Sequence, residues 1–203
     1  TRQGMDNNGA GTTTAALVCG GLVTGTGVID DTEEYNGSAW SEQNDLNTAR
    51  ARGSNIGSQT AALFCGGSEP SVSAHSEEYN GTSWTEVNNL NTARKELGGA
   101  GTQTSATIAG GSTGSVSNVV EQYDGTSWTT IPATLGTART SLTPTNAGTS
   151  SSYMVSGGNT GSIVGNSEEF TISLLATTGG AWSSGANYPT TIQDAAGAGP
   201  STA

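Results

Sequence analysis

The chain has 203 residues, enough for one domain, with a formal net charge of −11 and a hydrophobic fraction of 32%. Lys95 is the sole lysine, five arginines complete the basic residues, and this balance excludes the basic face that displaces counterions from a nucleic acid. No apolar run is long enough for a transmembrane helix, and the 31 glycines point to a core of small side chains and thin, closely stacked sheets.

Taken in order, the chain enters in mid-repeat. Thr1-Arg2 matches the end of a Thr-Ala-Arg segment that recurs at Thr48–Arg50, Thr92–Arg94 and Thr137–Arg139. Residues 3–10 are expected to form the first strand of a unit and Gly11–Thr14 its turn, followed by a strand at Ala15–Cys19 ending on Gly20-Gly21. A variable segment, Leu22–Thr32, leads to Glu33-Glu34-Tyr35-Asn36-Gly37 and Trp40. Unit two repeats the plan: the short apolar run Ala61–Cys65 fits a strand buried on both faces, stopped by Gly66-Gly67. Asn80-Gly81 favours a two-residue type I′ hairpin, which pairs Tyr79 with Thr82 and puts Glu77, Tyr79, Thr82 and Trp84 on one face. Unit three opens on the glycine-rich Lys95–Ala100, suited to a crowded ring centre. Unit four is degenerate: Phe170 replaces Tyr, Trp182 lies 12 residues beyond it, and Ile192 stands where Arg is expected. Asp194–Ala198 and Gly199–Thr202 read as the start of a fifth unit.

The markers keep one phase. Double glycines fall at 20, 66, 110 and 157; Tyr35, Tyr79 and Tyr123 are 44 apart, as are Trp40, Trp84 and Trp128, while Arg50, Arg94 and Arg139 are 44 and 45 apart. This period suits four short strands per unit, and gives unit bounds near 3–50, 51–94, 95–139, 140–192 and 193–203 within a single domain, 1–203. The expected class is all-β, in antiparallel four-stranded blades.

The double glycine closing an inner strand, then Tyr79, Trp84 five residues on, and Arg94 before the next unit resemble the kelch repeat, whose blades form β-propellers. Segments such as Gly101–Thr104 and Glu77–Trp84 are similar to kelch-like repeats of marine bacteriophage proteins. The first resemblance implies a kelch-like propeller of about four visible blades, complete or part of a larger ring. The second implies a virion appendage, a fibre or decoration protein, on the particle or outside the cell.

Chemistry-bearing residues are sparse. Acidic pairs recur at Glu33-Glu34, Glu77-Glu78 and Glu168-Glu169, with Glu121-Gln122 in unit three. A catalytic pair is normally single, so one glutamate per blade is assigned to a repeat arginine, bidentately. His75 is the lone histidine, and no His/Cys/Asp set has zinc or copper spacing. Asp30-Asp31 without a loop motif is a weak calcium signal and reads first as a solvated turn. Cys19 and Cys65 hold equivalent positions on neighbouring units, too far apart to bridge, and are expected as buried thiols. Asn36-Gly37-Ser38 and Asn80-Gly81-Thr82 are glycosylation sequons that hairpin chemistry explains. Trp84 is expected to be buried beside Tyr79, against its own blade and the next.

The segments Leu22–Thr32, Ser68–Ser76, Ser112–Val119 and Asn159–Ser167 share little sequence and are expected to emerge on one face. Asp30, Asp31, His75, Asn118 and Asn159 within them can hydrogen-bond a glycan or a protein, whereas the repeated Tyr, Trp and Arg residues are read as structural. The expected function is therefore a non-enzymatic binding or structural module, with virion or surface proteins or a cell-surface glycan as partners and no catalytic residue, metal or cofactor. Neither nucleic-acid binding nor membrane insertion is expected, and a homo-oligomer is compatible with partial blades. The alternatives are an extracellular sugar-processing kelch enzyme, which needs an active site confined to one loop set, and an intracellular kelch adaptor, which needs an attached partner domain.

Overall fold

A computed structural model describes residues 2–3, 9–144, 148–172 and 181–185. These form a propeller-like array of four antiparallel sheets, and no helix occurs among them. Unit two contains β-strands Ser54–Ser58, Ala61–Cys65, Ser76–Tyr79 and Trp84–Val87, hydrogen-bonded in that order as an up-and-down meander. Unit three repeats it with Gly98–Thr102, Ser105–Ala109, Val120–Tyr123 and Trp128–Thr130. Unit four does so with Thr143–Pro144, Ser152–Ser156, Ser167–Thr171 and Ala181–Ser184. Unit one uses Gly9–Gly11, Ala16–Val23, Gly27–Tyr35 and Trp40–Glu42, with Arg2–Gln3 added beside Leu22-Val23. The inserted hairpin residues 173–180, Ile192 and the expected fifth unit lie outside the described residues.

The first strands of successive units touch one another, so they line the centre of the array. Their closeness explains the glycines there: a Cβ on Gly99 would come within 2.5 Å of Ile56 Cδ1 in the unit before. The double glycines serve a different need. Gly66 has φ of 67° and Gly67 of 108°, in the left-handed region that glycine occupies without penalty, and a Cβ on Gly66 would meet the Arg94 carbonyl at 2.5 Å.

The core lies between blades rather than inside one. Leu17, Cys19 and Leu46 of unit one pack on Ala62, Phe64, Tyr79 and Trp84 of unit two. Ile56, Leu63 and Leu90 of unit two pack on Leu97, Ile108, Tyr123 and Trp128 of unit three, and a third cluster joins Leu135 and Val120 to Tyr153, Val155 and Phe170. Trp84 therefore buries against the preceding blade, not the following one as the sequence suggested. The reason is strand alternation: Glu77 and Tyr79 point backward along the array, while Ser76 and Glu78 point forward. Cys19 and Cys65 are buried and unbridged, and burial pushes the Cys65 thiol up to about 12.

Two further expectations are corrected. The hairpin at Asn80 has four loop residues, so Tyr79 pairs with Trp84 and Thr82 falls in the turn. Asn80 does not adopt the positive φ a type I′ turn requires; its Oδ1 instead accepts the backbone N–H groups of Thr82 and Ser83, both at 2.9 Å. Asp124 does the same in unit three, and the Ser127 and Thr126 N–H groups hold its carboxyl below the ordinary range. The second correction is Leu22–Thr32. It is a continuation of the strands Ala16–Val23 and Gly27–Tyr35, closed by a tight turn with Thr26 N–H on the Val23 carbonyl at 3.0 Å.

Candidate functional site

The connections between second and third strands form one rim. In unit two, Ser68–Glu69 and Ser71–Val72 make a small hairpin; in units three and four the bridges Ser112–Val116 and Asn159–Ile163 reproduce it at the same offset. Ser73, Ser117 and Val164 each donate a backbone N–H to the second glycine of the local pair, at 2.8, 2.8 and 3.0 Å. Bridges Ala51–Ser68, Lys95–Ser112 and Thr140–Asn159 tie each hairpin to the entry of its own first strand. The three hairpins thus share one backbone, although the expectation that these segments share little sequence holds only for unit two, since units three and four both read Thr-Gly-Ser before Val116 or Ile163. The tips are Glu69-Pro70-Ser71 in unit two and an identical Thr-Gly-Ser at 113–115 and 160–162 in units three and four, and Val116 and Ile163, 40% and 47% exposed, follow at equivalent positions.

Unit one departs from this pattern. Its strands run on past the double glycine, and a bulge between Cys19 and Gly21 sets Asp30 and Asp31 opposite the glycines. Bulges re-aim side chains, and here the carboxylates of Asp30 and Asp31 converge with that of Asp45, all within 4.8 Å of one another. Asp45 also accepts the Thr32 N–H at 3.1 Å. Three carboxylates so placed supply oxygen donors of the kind Ca²⁺ or Mg²⁺ prefers, and they concentrate negative charge on this side of the rim.

The other residues singled out from sequence sit in successive units. His75 Nδ1 lies 3.1 Å from a Glu69 carboxylate oxygen. Asn118 spans the base of its loop, its carbonyl accepting the Leu135 N–H at 3.0 Å and its side chain donating to the Leu135 carbonyl. Asn159 Oδ1 accepts the Gly161 N–H at 2.7 Å, shaping the tip behind it. Of the five, Asp30 and Asp31 are brought together, while Asn118 and Asn159 are engaged in holding their own loops.

Sequence reasoning passed over the hub. Two residues after each repeat arginine stand Arg52, Glu96 and Ser141, with φ of 62°, 57° and 51°. Left-handed backbone at a non-glycine residue costs roughly 1–3 kcal/mol, and three consecutive units bear it at one position. Cross-unit hydrogen bonds sustain it: Glu96 N–H donates to the Arg52 carbonyl at 2.7 Å and Ser141 N–H to the Glu96 carbonyl at 3.0 Å. The Glu96 carboxylate meets Arg52 Nη1 at 3.2 Å on one side and the Thr140 and Ser141 hydroxyls on the other. The only signal for this in the sequence was three unlike polar residues in one repeat register.

The repeat arginines are buried in ion pairs, though not bidentate ones. Arg50 Nη1 contacts Glu77 Oε1 at 2.5 Å and Arg94 Nη2 contacts Glu121 Oε1 at 2.7 Å; Arg139 pairs likewise with Glu168. The second oxygen of Glu77 accepts from Asn47, backbone and side chain both at 2.8 Å, and Glu121 receives the same from Asn91. Gly136 replaces that asparagine at the last junction. Its N–H still reaches Glu168 at 2.6 Å, and a cleft of about 520 Å³ lined by Gly136, Arg139, Glu168, Ser184 and Gly185 lies beside the pair.

Comparison with protein-family models and with curated proteins found no match to the sequence. Among the described residues no helix is long and apolar enough to cross a membrane.

Proposed function

We propose that the chain is a kelch-type, non-enzymatic recognition and structural module, a virion appendage of a bacteriophage that presents its rim to a host surface glycan or protein. One observation carries the reading: three rim hairpins share a backbone to the level of individual hydrogen bonds and hold short tips at the rim, Glu69-Pro70-Ser71 in unit two and Thr-Gly-Ser in units three and four, with Val116 and Ile163 projecting into solvent. Loops on a rigid scaffold are where recognition is placed. The recurring carboxylates support a scaffold reading over a catalytic one, since Glu77, Glu121 and Glu168 are each taken up by a repeat arginine. The virion assignment rests on the likeness of Glu77–Trp84 and Gly101–Thr104 to phage kelch-like repeats and on the acidic, polar composition.

The test replaces residues 69–71, 113–115 and 160–162 with one common Gly-Ser sequence, keeping every strand. Binding to host cells and to an array of bacterial surface polysaccharides is then compared with wild type. Loss of binding with an unchanged melting temperature is expected. Binding that survives the replacement places recognition elsewhere.

A further inference from the structure

Two of the three rim hairpins are chemical as well as geometric copies. Thr113-Gly114-Ser115-Val116 in unit three and Thr160-Gly161-Ser162-Ile163 in unit four differ by one methylene of a β-branched side chain. In each, the threonine N–H donates to the serine carbonyl at 3.1 Å, and the threonine hydroxyl lies 3.5 or 3.4 Å from the same oxygen. Gly114 and Gly161 both have φ of 109°, and a Cβ on either would meet no atom within 4 Å. Ser112 Oγ accepts the glycine N–H in one tip and Asn159 Oδ1 accepts it in the other. The hairpin itself does not demand this match, because unit two builds it with Glu69-Pro70-Ser71.

The two tips carry no ionisable group. From 112 to 118 and from 159 to 165 the side chains are hydroxyls, amides and aliphatic groups only. Lys95, whose backbone bridges Ser112, has its ammonium 4.0 Å from the Glu96 carboxylate. An anionic partner therefore meets no counter-charge on the tips and a net charge of −11 over the chain. Ser115 beside Val116 and Ser162 beside Ile163, all exposed, set a hydroxyl next to apolar surface. That pairing suits a pyranose, which has hydroxyls around its edge and C–H groups on its face. The repetition narrows the class further: a polymer of identical units repeats its chemistry from one blade to the next, and a folded protein surface does not.

We propose that the unit-three and unit-four tips form a two-point site for an uncharged polysaccharide with a short repeating unit, each tip holding one repeat. The site rests on the rim being the recognition surface, and it gives that surface a ligand class. Two weak, equal contacts on one chain act as a strong one, since the second forms at high effective concentration.

Biolayer interferometry on the whole chain tests this with the polysaccharides of the same host cells, parted into neutral and acidic fractions by anion exchange. Binding is expected to the neutral fraction alone. Val116→Asp and Ile163→Asp, both at exposed sites, should each weaken it at least about tenfold, because either one removes half of a bivalent contact. Ser71→Asp, on the unlike tip of unit two, should leave it unchanged. Single-repeat fragments of the neutral polymer should bind wild type and both single variants weakly and alike; a variant that loses fragment and polymer equally would overturn the two-point site. Binding confined to the acidic fraction, or cell binding abolished by protease and untouched by periodate, would overturn the proposal as well. If both Asp substitutions together leave cell binding intact while replacement of all three tips abolishes it, the rim remains the recognition surface and the two-point site is wrong. If cell binding survives that replacement too, both readings are wrong.

Discussion

The junction between units two and three and the junction between units three and four use the same strands with different side chains. The first carries every repeat pair: Arg94 and Asn91 on Glu121, Tyr123 on Glu78, Trp128 on Ser76. The second keeps the Arg139–Glu168 pair but has Gly136, Phe170 and Val120 where asparagine, tyrosine and a hydroxyl stood. It compensates with bulk. Tyr153 occupies the place of Ala62 and Ala106 and packs its ring 5.6 Å from Phe170 and 5.3 Å from Trp182. One blade pair is thus joined by directional polar contacts around a small core, the other by aromatic packing beside an open cleft. Blade stacking depends on the apolar area buried, and the polar set adds register.

The largest effect that separates the two should come from the buried ion pair. Removing one partner leaves an unpaired charge in the core, so Glu121→Gln is expected to cost about 3–5 kcal/mol in urea unfolding. Glu168→Gln, beside the cleft where water reaches the site, should cost clearly less. Equal costs would mean that the cleft has no bearing on the pair.

Truncation of the tryptophans comes next. Trp128→Ala should cost roughly 3–5 kcal/mol, and Trp40→Ala, at an exposed ring, a small fraction of that. Equal losses would show that both rings are buried to the same degree. A smaller effect is a gain. Val120→Thr supplies the hydroxyl that Trp182 Nε1 lacks and should stabilise unit four by about 0.5–1.5 kcal/mol, read as a rise in midpoint; no rise would mean the indole N–H is otherwise satisfied.

A further effect appears only at alkaline pH. The Cys65 pKa is raised in the fold from its ordinary value of 9.0 to about 12. The folded state therefore holds a proton that the unfolded state releases, and this contribution is full below pH 9 and lost as pH rises towards 12. Cys65→Ala should flatten the stability profile in that window, and its slope remaining unchanged would remove the thiol from the account.

Much of this was legible in advance because the repeat markers are junction residues. Tyr, Trp and Arg recur at a fixed period since each must meet the same partner on the neighbouring blade, and a requirement shared by every junction shows in the sequence. Direction was not legible. Alternation showed that Glu77 and Tyr79 share a face, but not that this face looks backward along the array, so Trp84 was assigned to the wrong neighbour. The Asn80 hairpin was misread because asparagine serves two turn chemistries, and its side chain rather than its backbone was the one used. The rim hairpins were hidden for the opposite reason. Their common shape is held mainly by main-chain hydrogen bonds, and the one side-chain trace, Thr-Gly-Ser followed by Val116 or Ile163, is confined to units three and four. The Asp30–Asp31–Asp45 cluster depends on a bulge and on a residue 14 positions away, which no local pattern announces.

The central claim, that polar side-chain pairs crossing a junction fix its register, is tested most directly by a double-mutant cycle on Arg94 and Glu121. Arg94→Met, Glu121→Gln and the double variant are compared by urea unfolding. A coupling energy of about 1–3 kcal/mol, with the double variant less damaged than the sum of the singles, is the predicted result. Additive losses would contradict the claim, since two residues that do not support one another cannot hold a junction together.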